Sequence, residues 1–194
     1  LISQSNTQEI ALEEGWSIFS TYIIPENNNL EDIFANIMDD IIIIKDEDGN
    51  AFWPEFNLNS IGPMQLGSAY LIKMQNANNL FINGNIGECN SLINLDTGWS
   101  LLGYLDNVSS DLENHFSNIS EITIVKDDLG NIYWPFFSIN TIQELNPGKG
   151  YQIKLNAPIE FNYNCNNECI EYNYSCNGGT WQTEVYWEIQ DNTG

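Results

Sequence analysis

Arginine is absent from this chain of 194 residues, and five lysines and one histidine are its only basic side chains against 27 acidic ones. The formal net charge of −22 makes the surface a negative field. Such a field repels phosphate backbones and anionic lipid, which argues against nucleic-acid or membrane-surface binding. Without arginine there is no bidentate clamp for a carboxylate or phosphate. No apolar run approaches the roughly 18 residues of a spanning helix, and no membrane insertion is expected. Neither G-x-x-x-x-G-K-[ST] nor G-x-G-x-x-G occurs, which removes the common phosphate cradles. Histidine catalysis would rest on His115 alone, and its spacing from Leu112 makes it a partly buried helix residue. Asp96-Thr97-Gly98 spells the aspartic-protease triplet, but that chemistry needs two facing carboxylates. The matching earlier position is Glu13-Glu14-Gly15, so a turn into a strand is the plainer reading. The expectation is therefore no enzyme, no catalytic residues and no resident cofactor.

Cysteine is also scarce. Cys89, Cys165, Cys169 and Cys176 do not have zinc-knuckle spacing, and only His115 could add a nitrogen ligand. Disulfides are expected rather than a metal centre, with three connectivities open.

What the chain does have is an internal repeat. LEEGWSIFSTYI (12–23) matches LDTGWSLLGYL (95–105), and NNLEDIFANI (28–37) matches SDLENHFSNI (110–119). IIKDEDGNAFWPEFNLN (43–59) then matches IVKDDLGNIYWPFFSIN (124–140), and LGSAYLIKMQNA (66–77) matches PGKGYQIKLNAP (147–158). Trp16 and Trp99 lie 83 positions apart (99 − 16), and Trp53 and Trp134 lie 81 apart (134 − 53). The order is kept throughout, as in a tandem duplication of a module of about 80 residues.

Periodicity predicts the elements of each copy. GWSIFSTYI reads as a strand. Leu30, Ile33, Phe34, Ile37 and Met38 share one face of a helix, with capping boxes at Asn28-x-x-Glu31 and Ser110-x-x-Glu113. Ile41 to Ile44 has the continuous apolar run of a central strand. A glycine hairpin follows at Asp48-Gly49-Asn50 and Gly130-Asn131, and Trp-Pro ends the pairing. AYLIKMQ alternates Tyr70, Ile72 and Met74 inward against Leu71, Lys73 and Gln75 outward, and NLFIN closes the copy as a short strand. The fold class is α+β, mostly β: two tandem modules of strand, helix and three to four strands, spanning 1–88 and 89–164. Residues 165–194 form a C-terminal β segment, either a hairpin around Asn177-Gly178-Gly179 or an incomplete third domain. The start, Leu1-Ile2 followed by Ser3-Gln4-Ser5, has the form of the tail of a secretory leader, though short starts often look so.

Gly98-Trp99-Ser100, Asp127 to Asn131 and Pro147 to Lys154, with Gly15-Trp16-Ser17, Asp46 to Asn50 and Leu66 to Lys73 in the first copy, resemble a tandem module. That module belongs to secreted and cell-surface proteins of Bacteroidetes associated with type IX secretion. GGTWQTEVYWEI similarly resembles the opening of an accompanying β-sandwich module. The first copy departs in having Leu66 and Ala69 in place of Pro147 and Gly150, which predicts a different turn there. The resemblance implies an extracellular or cell-surface protein and no particular activity.

Four side-chain groups remain. Asp46-Glu47-Asp48-Gly49-Asn50 begins like a calcium loop but lacks its later ligands, leaving an ion-free turn or a weak surface calcium site. Trp53 and Trp134 are either sugar-stacking platforms or packing between or within the modules. The repeat-matched Lys45, Lys126, Lys73 and Lys154 are expected to pair with carboxylates at strand ends, with an isopeptide bond as the sharper alternative. The C-terminal strands could add to a neighbouring subunit. Together these features suggest a non-enzymatic stalk, adhesin or filament subunit, or alternatively a carbohydrate-binding accessory region of a secreted hydrolase whose partner is a glycan.

Overall fold

A computed structural model describes residues 6–165. The N-terminal leader-like start, the C-terminal β segment, Cys169 and Cys176 lie outside the described residues. The fold is mostly β with two short α-helices, and no helix among the described residues is long and apolar enough to cross a membrane.

The first half of the chain runs β1 (Asn6–Leu12), β2 (Gly15–Ser20), β3 (Ile23–Pro25), α1 (Leu30–Ile33), β4 (Ile41–Lys45), β5 (Ala51–Trp53), β6 (Leu58–Asn59), β7 (Ala69–Met74) and β8 (Asn78–Ile86). The apolar run Ile41 to Ile44 does become a central strand, in the antiparallel sheet β2-β7-β4-β5-β6. Tyr70, Ile72 and Met74 of β7 point inward onto Phe19, Phe34 and Phe52. The β4–β5 hairpin turns at Gly49, whose φ of +84° is one that side chains rarely adopt.

The second half continues with β9 (Ile93–Leu95), β10 (Gly98–Gly103), β11 (Ser110–Asp111), α2 (Glu113–Phe116), β12 (Ile122–Lys126), β13 (Ile132–Trp134), β14 (Ile139–Asn140), β15 (Glu144–Leu145), β16 (Gly150–Leu155) and β17 (Ile159–Phe161). Its five-stranded sheet has the order β10-β16-β12-β13-β14 and carries its own core, with Leu102, Phe116, Val125, Tyr151 and Ile153 buried.

Three expectations need correction. The helix over Leu30–Met38 is a single α turn followed by a hydrogen-bonded turn over 34–37 and a 3-10 turn at Met38–Asp40. Its apolar face survives because hydrogen bonds pass from Phe34 N–H to Leu30 C=O and then from Ile37 N–H to Phe34 C=O. So short a segment is held by packing, not propensity, and tightens to lead into β4. Neither capping box forms. Glu31 and Glu113 instead accept from the side-chain amides of Asn59 and Asn140, tying each helix to the far strand of its sheet. The turns before β7 and β16 do not differ: Gly67 and Gly148 have φ of +84° and +82°, and Tyr70 and Tyr151 hydroxyls accept from Gln65 and Asn146 N–H at 2.9 Å in both.

The closing strand of the first copy is longer than NLFIN. β8 spans nine residues and lies between β1 and β3 in a separate sheet, pairing Asn6 with Gly84 and Leu12 with Asn78. β9 and β17 occupy the corresponding place in the second half with only three paired residues. Just beyond that short ladder Cys89 and Cys165 form a disulfide, their Cα atoms 6.2 Å apart.

Candidate functional site

β2 and β10 each form one edge of their five-stranded sheet, and their outward N–H groups would be unpaired without a partner. Each is satisfied by the other half. Ile18 N–H donates to the Asp128 carboxylate (3.1 Å) and Ser20 N–H to Gly148 C=O (3.0 Å). Reciprocally, Leu101 N–H donates to the Glu47 carboxylate (3.2 Å) and Gly103 N–H to Gly67 C=O (2.9 Å). Ile18, Ala69 and Leu101 bury a small apolar cluster at the seam. The residue after the first Asp of each hairpin thus covers a strand edge.

The same hairpins accommodate the expected calcium ligands differently. Both Asp46 carboxylate oxygens accept from Asn50, one from its backbone N–H and one from its side-chain amide, each at 2.8 Å. Asp127 and Asn131 repeat this at 2.7 Å. The first acidic residue of each loop is therefore engaged in closing the turn.

Beyond the seam the outer face of each sheet carries a half-exposed tryptophan, Trp16 at 48% and Trp99 at 50%. Lys73 pairs with Trp16 across β7, and Lys45 lies one strand further on β4. Their ammonium groups stand 5.8 and 5.9 Å from the indole centroid. Lys154 and Lys126 flank Trp99 at 5.8 and 5.0 Å. These lysines do not pair with carboxylates as expected, for among the described residues the sole ion pair is Lys149 with Asp128 at 4.0 Å. An exposed ion pair, screened by water and salt, contributes little, whereas a lysine stem laid along an indole buries apolar surface and keeps a cation–π contact. Sequence reasoning missed Trp16 and Trp99 as site residues. Their signal was present: a repeat-matched tryptophan accompanied by two repeat-matched lysines in a chain with only five.

Trp53 and Trp134 lie elsewhere, at the ends of β5 and β13. Both are half-buried and meet an aromatic ring of their own 3-10 turn edge-on, Phe56 at 4.7 Å and Phe137 at 4.6 Å. Phe136, in the turn that follows Trp134, is 85% exposed.

Cys89 and Cys165 have the carboxylate of Asp106 within reach, a trio that metal chemistry could use only with the disulfide open. His115 lies buried nearby, between Tyr104 and Tyr163. Its Nδ1 accepts from Asn164 N–H, so Nε2 carries the proton and donates to Ser110 Oγ at 3.0 Å. Burial holds its pKa below the usual histidine range, opposed in part by Asp106 and Asp111. Protonation is thus easier in the unfolded chain, whose imidazole titrates near ~6.5. This contribution to stability is complete above that value and is lost as pH falls through and below it. Denaturant titrations between neutral and mildly acidic pH should show wild type losing stability relative to His115→Gln, by at most about 1.4 kcal/mol per pH unit. A constant difference would mean that His115 is not buried neutral.

No protein-family model, no curated protein and no solved structure matches the chain.

Proposed function

We propose that the chain is a non-enzymatic extracellular or cell-surface protein of structural or adhesive kind, built from a tandemly duplicated module. The observation that carries this reading is the reciprocal seam. Two sheets of identical strand order cover each other's edges with matched carboxylates, matched turn carbonyls and matched glycines, as a duplicated block would. The Cys89–Cys165 disulfide fits an oxidising compartment. The Bacteroidetes surface-module resemblance points the same way. Such a block provides length and a rigid surface, and the matched exposed aromatics Phe56 and Phe137 offer it contacts. A carbohydrate-binding accessory role is the second reading, favoured by the partly open rings of Trp53 and Trp134.

Electron microscopy of the native protein, with size-exclusion chromatography in calcium and in chelator, tests the proposal. Fibres or defined oligomers are expected of a filament subunit. Strict monomers in both conditions would remove the filament version and leave a stalk or adhesin segment.

A further inference from the structure

We infer that the two Trp–Lys clusters, Trp16 with Lys45 and Lys73 and Trp99 with Lys126 and Lys154, are subsites for anionic sugar residues of a polysaccharide. The inference rests on the adhesive reading above and names its ligand class.

The charge distribution is the first argument. In a chain of net charge −22, four of the five lysines converge in pairs on two tryptophans. Elsewhere a lysine has abundant carboxylates to meet, so these pairs are the places where a negative ligand finds positive charge. Shape is the second. Two ammonium groups lie over each indole, 5.0 to 5.9 Å from its centroid, and about half of each tryptophan remains exposed. A pyranose stacked by its C–H face on that surface would carry a carboxylate or sulfate at its own rim, beside an ammonium group. The surroundings are the third. Trp99 borders a shallow groove of about 160 Å³ shared with Ser100, Gln152, Asp46 and Glu47. Ser100 and Gln152 can meet sugar hydroxyls as donors and acceptors; the two carboxylates repel any anion, but a sugar offers them hydroxyl donors that the side chains of polyglutamate lack. The two clusters occupy matched places on the two sheets, so each chain offers two similar subsites.

Intrinsic tryptophan fluorescence and affinity electrophoresis of the full chain would test this with polygalacturonate, its neutral methyl ester, dextran sulfate and polyglutamate. Polygalacturonate or dextran sulfate should bind, and comparison of the two tells carboxylate from sulfate preference. Lys73→Gln with Lys154→Gln should weaken binding by roughly tenfold and flatten its salt dependence. Trp16→Ala with Trp99→Ala should abolish it, and an unchanged thermal midpoint in the lysine variant shows the fold intact. Equal binding of the methyl ester, equal binding of polyglutamate, indifference to both double variants, or binding of no probe would each overturn the inference. A chain that assembles yet binds no polyanion keeps the structural reading and loses this one. A chain that binds yet stays monomeric keeps this one and loses the filament.

Discussion

Replacing both Cys89 and Cys165 with serine is expected to lower the thermal midpoint by roughly 6–12 °C, the equivalent of about 3 kcal/mol in a chain of this size. The bond closes a loop over a sequence separation of 76 residues, so its loss returns a large conformational freedom to the unfolded chain. The fold gives a second reason for a large effect. In the first half, β1 and β8 pair over seven residues from Asn6–Gly84 to Leu12–Asn78. In the second half, β9 and β17 pair over three. Cys89 stands 83 positions after Asn6 (89 − 6) and Cys165 stands 81 after Gly84 (165 − 84), the same offsets that relate the repeats. The disulfide therefore occupies the place of a backbone pair and fastens a ladder that is too short alone. Calorimetry of the oxidised, reduced and doubly substituted protein measures this. A midpoint unmoved by both reduction and substitution would show that these two cysteines are not joined in solution.

The legible part of the fold was the part with local period. The alternation of β7, the apolar run of β4, the hairpin glycines and the Trp-Pro stops each follow from residues within one turn or strand, and all appear where their patterns predict. β1 was missed because Gln8, at 2% exposure, reads as a surface residue. Its side chain is inside because its amide oxygen accepts the Thr21 hydroxyl and Tyr22 N–H. The extent of β8 was missed for a related reason: its partners, residues 6–12 and 23–25, are distant in the chain. The roles of Glu47 and Asp128 were hidden because each receives a backbone N–H of the other half, and a backbone donor leaves no trace in residue identity. The lysines were visible as matched positions, but composition suggested carboxylate partners where geometry supplied indoles.

The seam makes the sharpest demand on one residue. Gly150→Val is expected to destabilise the protein by about 1–3 kcal/mol and to separate the unfolding of the two halves. A Cβ at Gly150 would lie 2.5 Å from Ala69 Cβ and 2.7 Å from Ile18 Cγ2, with Phe19 C=O at 3.2 Å. Two of these belong to rigid atoms of the facing sheet, so relief requires the halves to part. Parting would release the Ser20 N–H to Gly148 and Gly103 N–H to Gly67 bonds together, because both span the same seam. The halves have separate cores, so each can stay folded after the seam opens. Gly49→Ala is the control: its φ of +84° costs an alanine locally, but no atom lies within 4 Å of the added carbon. That variant should lose only about 1 kcal/mol and unfold in one step. Urea titrations followed by tryptophan fluorescence, with Trp16 and Trp99 on opposite sides of the seam, distinguish the two outcomes. Coincident single transitions in both variants, with equal midpoints, would mean that the close approach at Gly150 does not hold the halves together.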